Sequence, residues 1–269
     1  MKSRILVAVV WVPVLLYVVL AGPPVLMSLA LMLLAGVGGC ELQKCVSGKE
    51  KREETRDLVA MSGLCASLTV LWYYTVPDSV EVFFVLELLI FLGHAIRKGG
   101  EVRFQQILAG LGGGIFIGWS FSAFLRMEAA GLHRAYLLLP FILSFACDTF
   151  AFFAGLTLGK HKLAPKVSPK KTIEGSIGGL AGNVVCGLLF VWVMDRWFGG
   201  SVIACGPMVC LALACGVVAQ IGDLSFSLIK REFGIKDYGK LFLAHGGVLD
   251  RFDSVLFVAP LIEIILSIL

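Results

Sequence analysis

The stretch S227-LIKREFGIKDYGKLFLAHGGVLDRFD-S254-VLFVAPLIEIILSIL-269 decides the architecture. Its first half is the most polar run of the chain, with Lys230, Arg231, Lys236, Asp237, Lys240, His245, Asp250, Arg251 and Asp253 arranged around a Gly246-Gly247 break. Its second half is hydrophobic to Leu269, with Glu263 its one charged residue. Charge abutting a run of that kind is expensive at the edge of a bilayer and marks function when it is retained.

Working outward, the same alternation recurs along all 269 residues, 58% of which are hydrophobic, against about 45–50% in soluble domains. A helix crossing the hydrocarbon core needs about 20 mainly apolar residues. Nine runs qualify as predicted spans, at 5–21, 24–40, 58–76, 80–96, 107–125, 135–158, 176–198, 202–224 and 248–269. The run from Ile5 to Leu20 is longer than a signal-peptide core, and Gly22-Pro23-Pro24 is a poor cleavage site, so it reads as a retained first span. The sequence therefore predicts an all-α polytopic membrane protein of about nine transmembrane helices. Residues 1–134 form an N-terminal membrane region of five spans without a motif, and residues 135–269 a catalytic membrane region.

Basic residues orient such a chain. With the N-terminus in the cytoplasm, only Arg126, Arg134 and Arg196 of the 23 Lys and Arg fall outside. This predicts N-in, C-out and a polar site facing the cytoplasm, built from the 159–175 and 225–247 loops. The eight cysteines lie mostly in apolar runs and none forms a CxxC pair, which argues against zinc and redox chemistry. Neither a GxxxxGK[ST] phosphate loop nor a GxSxG elbow is present.

The 159–175 loop carries Lys160, Lys162, Lys166, Lys170 and Lys171. Five lysines satisfy the positive-inside rule without further purpose. Pro165 and Pro169, however, fix φ, and Thr172 in Thr172-Ile173-Glu174-Gly175 is placed to cap the next helix. A stiff basic loop at a helix N-terminus suits a polyphosphate. The 225–247 loop reads equally as an amphipathic interfacial segment, which leaves its acids unexplained. Asp148 lies mid-span, Asp223 near the end of span eight, and Asp250 and Asp253 at i, i+3, which places them on one helical face. Neighbouring carboxylates in a low dielectric call for a cation, and magnesium takes carboxylates together with substrate phosphates. Asp148, Asp223, Asp250 and Asp253 are the candidate ligands for one or two Mg2+ ions. Glycines such as Gly110, Gly112, Gly114, Gly178, Gly179 and Gly182 have a simpler use in close helix packing, and small-residue faces of this kind also suit a homodimer.

Ser227, Lys230-Arg231, Lys236-Asp237, Gly239, Phe242, His245-Gly246-Gly247, Asp250-Arg251 and Asp253 resemble in register the C-terminal signature of the phosphatidate cytidylyltransferases, or CDP-diacylglycerol synthases; Leu243 stands where that family usually has Pro or Gly. Asp148, Gly159 to Leu163, Ser168 to Thr172, Glu174-Gly175 and Gly222 to Leu224 are similar as well. The resemblance implies a magnesium-dependent reaction of CTP with phosphatidic acid in the cell membrane, with no nucleic-acid partner. On that reading Asp223, Asp250, Asp253, Lys171 and Arg251 are catalytic. Lys166, Ser168, Lys170, Thr172, Lys230, Arg231, Lys236, Asp237 and His245 bind substrate. The competing class is an ion-coupled transporter or lipid flippase built on Asp148 and Asp223, against which stands the lack of an internal repeat.

Overall fold

The structure, a computed structural model, describes residues 12–48, 55–76, 79–99, 101–241 and 246–268. His245 and Leu243 lie outside the described residues. The helices are α1 (12–20), α2 (Pro24–Ser47), α3 (Arg56–Thr75), α4 (Val80–Arg97), α5 (Phe104–Ala129), α6 (Leu139–Leu158, entered by a 3-10 turn at Arg134–Leu138), α7 (Ile173–Trp197), α8 (Cys205–Glu232), α9 (Leu249–Phe252) and α10 (Val255–Ile268). A two-stranded hairpin, β1 (Lys162–Ala164) and β2 (Ser168–Thr172), joins α6 to α7. Among the described residues, six helical segments are long and apolar enough to cross a membrane, and α10 is a shorter apolar helix. The protein is thus a helical, polytopic membrane protein.

Two boundaries differ from expectation in ways that matter for the site. Span eight was expected to end at 224 in a loop, yet α8 runs on to Glu232 and carries Lys230 and Arg231 in its last turn. Ser225 to Glu232 contains no breaker, and the first is Gly234, with φ +65. The expected continuous span 248–269 is interrupted at Asp253-Ser254. There the Asp253 carboxylate accepts from the Ser254 N–H at 2.8 Å, a local bond that competes with the helical ladder.

The described residues form two compact units: Met1–Ala129 with Glu232–Phe252, and Ala130–Arg231 with Asp253–Leu269. In the first unit α2, α3 and α5 pack mutually through small residues. Gly39 lies against the Ser62 carbonyl, Gly36 against Ser67, and Gly118 against Ala66 and Thr69. Lipid offers no hydrophobic drive between helices, so close backbone approach and side-chain hydrogen bonds hold them together. Ser62 Oγ lies 3.1 Å from the Gly39 carbonyl and 3.2 Å from that of Gly110. Gln43 Nε2 donates to the Gln106 carbonyl at 3.1 Å. Gly112, by contrast, faces open space.

In the second unit α6 and α7 form the tightest pair. Gly178 and Gly179 lie against Ala154 and the Cys147 carbonyl, and Gly182 lies under the Phe150 ring. Ser254 Oγ donates to the Ala219 carbonyl at 3.1 Å, fixing the start of α10 on α8.

Candidate active site

The basic loop is a folded object. Pro165 follows Ala164 in a turn closed by the Val167 N–H donating to the Ala164 carbonyl at 3.2 Å, the position where proline's fixed φ favours a turn. Lys162 pairs with Thr172 and Ala164 with Ser168. Thr172 caps α7, as its position in the sequence predicts, by accepting from the Gly175 N–H at 3.1 Å. Glu174 reaches back from the first turn of α7. Its carboxylate accepts from the Lys160 N–H at 3.0 Å and lies 2.6 Å from His161 Nδ1. Both ends of the loop are therefore pinned.

Alternation along β2 separates the lysines. Side chains of successive strand residues point to opposite faces, so Lys170 is exposed while Lys171 is half-buried and ion-paired to Asp223. Lys166, in the turn, is exposed. Ser168, on β2, is half-buried. The Arg231 guanidinium donates to the Val167 carbonyl at 3.4 Å, bringing the last turn of α8 to the hairpin.

Around that ion pair the second unit gathers acid. Asp223 also accepts from Ser227 Oγ at 3.3 Å. Asp148 lies within electrostatic reach of Asp223 and Lys171, and Asp253 within reach of Asp223, Asp148 and Lys230. Gly222 makes this possible: a Cβ there would meet the Asp253 carbonyl at 2.8 Å and the Phe257 ring at 2.7 Å. Only glycine lets the Asp253 turn approach α8 next to Asp223. Behind the cluster, Gln220 joins three helices. Its Nε2 donates to the Ser176 carbonyl at 3.2 Å and contacts Cys147 Sγ at 3.6 Å, while its Oε1 accepts from Ser176 Oγ. Sequence reading passed over Gln220, although a Gln inside an apolar helix three residues before Asp223 is the signal that marks it.

Asp250, Arg251, Lys236 and Asp237 belong to the first unit. The shared helical face expected of Asp250 and Asp253 requires a helix that the Asp253-Ser254 break interrupts. Asp250 instead turns into its own segment, where Oδ2 accepts from the Tyr238 N–H at 2.8 Å and the Gly247 N–H at 3.0 Å. Lys236, Asp237 and Arg251 are exposed. The residue that sequence reading missed here is Glu41 on α2, 5% exposed. Its two carboxylate oxygens accept from the Val248 and Leu249 N–H groups at 3.1 and 3.0 Å.

Comparison with known proteins bears on this arrangement over the whole chain. The model of the cytidylyltransferase family matches residues 2–269. The chain belongs to that family. It is 33% identical over 273 residues to a phosphatidate cytidylyltransferase of Staphylococcus saprophyticus, covering 99% of each chain. A Staphylococcus epidermidis protein of the same description is 32% identical over 99% of both. That of Staphylococcus aureus strain COL is 39% identical over 178 residues, 66% of this chain and 65% of its own length.

Proposed function

We propose that the protein transfers the cytidylyl group of CTP to phosphatidic acid, giving CDP-diacylglycerol and pyrophosphate in phospholipid biosynthesis. The observation that carries this reading is the Lys171–Asp223 pair within a group of three carboxylates at the base of a basic hairpin. Both reactants are anions, so neutralisation of charge is a large part of catalysis. The hairpin supplies it from lysine side chains. Lys166 and Lys170 gather the triphosphate, Lys171 follows the phosphates to the carboxylates, and Lys230 and Arg231 draw in the lipid phosphate. The phosphate oxygen of phosphatidic acid bonds to the α-phosphorus of CTP, and the bond from that phosphorus to the bridging oxygen breaks as pyrophosphate leaves. A phosphate monoester is already largely ionised near neutral pH, so no strong general base is required.

The donor set suits magnesium. Asp148, Asp223 and Asp253 offer hard oxygen ligands, and the Lys171 ammonium lies where a cation belongs. Among the described residues no three His, Cys, Asp or Glu side chains form a ready-made cage, so such an ion would need phosphates and water to complete its shell. Asp223 and Asp253 would hold one or two such ions, with Asp148 beside them. Bound there, magnesium supplies charge neutralisation and polarisation of the reacting phosphoryl group. In the first unit, Asp250 orders the segment that displays Lys236, Asp237 and Arg251.

The charge bias supports an odd number of crossings, nine on this reading, N-in and C-out, with the hairpin on the cytoplasmic side where CTP is found. Gly93 and Gly112, whose faces are open, support a homodimer through close helix packing.

Purified protein given CTP labelled in its base, phosphatidic acid and magnesium should yield a lipid-soluble cytidine product and one pyrophosphate for each product. Ion-coupled flux with no such product would overturn the reading.

A further inference from the structure

The first unit contains a second carboxylate arrangement that the reaction scheme leaves unused. Glu41 sits within α2, buried, and faces a backbone 207 residues away in sequence. Two consecutive N–H groups, of Val248 and Leu249, each receive one of its oxygens. Gly239 and Gly247 both lie against the same carboxylate, and a Cβ on either would overlap it. From the other side Asp250 accepts from the Tyr238 and Gly247 N–H groups. The backbones at Tyr238–Gly239 and Gly246–Leu249 are thus gripped by two carboxylates, one from a distant helix and one from α9.

The chemistry of the grip is selective. A carboxylate gives one acceptor to each of two adjacent donors; a glutamine offers one acceptor and turns a donor toward the other N–H, while an aspartate is a methylene too short. The two neighbouring glycines also divide by cause. Gly246 has φ +85 and is glycine for its backbone. No left-handed φ is found at Gly247, and the atoms nearest a Cβ there are those of the Glu41 carboxylate.

We propose that Glu41 is a positioning residue for the cytidylyl transfer, setting the segment that carries Lys236, Asp237, Asp250 and Arg251. The inference rests on the function proposed above, and its test separates the two. In the reconstituted full-length protein, Glu41→Gln should lower kcat about tenfold or more, the scale of one buried donor losing its partner. KM for CTP should change by less than about threefold, because the nucleotide is gathered elsewhere. Amide exchange at Val248 and Leu249, read by hydrogen–deuterium exchange, should accelerate by about the same tenfold. Gly247→Ala should be damaging alone. In a Glu41→Ala background it should add almost nothing, whereas Gly246→Ala should remain damaging in either background. An unchanged kcat in Glu41→Gln, unchanged exchange at the two amides, or losses at Glu41 and Gly247 that simply multiply would each overturn the proposal. If the wild type formed no lipid cytidine product, the function reading and the positioning role resting on it would both fall, while amide exchange and the Gly247 cycle would still establish or refute the clamp.

Discussion

The two carboxylate groups of this protein differ in what satisfies them. In the second unit Asp223 is met by an ammonium and a hydroxyl of side chains, those of Lys171 and Ser227. In the first unit Glu41 and Asp250 are met by backbone N–H groups. A side-chain partner can swing away and be replaced by a ligand at little cost, whereas a backbone partner cannot move without the chain. Asp223 is thus open to an exchange of partner, while Glu41 and Asp250 are tied to the chain. The contrast separates Asp223 from Asp250, which sequence alone presents among four similar acids near a membrane, and adds Glu41, which it does not mark.

The contrast breaks most readily at Asp223. Asp223→Asn should reduce the rate of product formation by about 10²–10³-fold, the scale for losing one preorganised charge at a reacting centre, with no change in melting temperature. Lys171→Met should come next, lowering kcat/KM for CTP by about 10–100-fold, and Lys171→Arg should retain more activity because it keeps the charge. Asp250→Ala should show first in stability, since it leaves the buried Tyr238 N–H and the Gly247 N–H without Oδ2, at about 1–3 kcal/mol for each group left unpaired; thermal unfolding in detergent reads this directly. Thr172→Ala removes the cap of α7 and should cost about 1 kcal/mol. The smallest effect is expected from Glu174→Gln, whose His161 partner is exposed so that solvent screens the pair; steady-state rates should fall no more than about fivefold.

Much of this was legible in the sequence because the signals are local. Apolar runs gave the membrane class, the lysines and prolines of 159–175 marked a shaped loop, and Thr172 announced its cap. The hairpin register was not legible, since it is fixed by the turn from Ala164 to Val167 acting with the pinning of Glu174 on Lys160 and His161. The extension of α8 through Lys230 was readable in principle from the lack of any breaker before Gly234, but the polarity of 225–232 imitates a loop. The break at Asp253 escaped because it is marked by contacts of the folded chain, the Asp253–Ser254 hydrogen bond and the close approach of Gly222. Glu41 escaped for a different reason: no spacing rule links a residue of α2 to a backbone more than two hundred positions later, and only the folded chain shows the contact.

The most direct test of the account is the initial rate of CDP-diacylglycerol formation by Asp223→Asn beside the wild type, both reconstituted in phosphatidic-acid vesicles with saturating CTP and magnesium. The account predicts rapid, pyrophosphate-matched product from the wild type and a rate at least about a hundredfold lower from an equally well-folded variant. A variant rate within about twofold of the wild type, too small a loss for a preorganised charge at the reacting centre, would contradict the placement of the chemistry at the second unit's carboxylates.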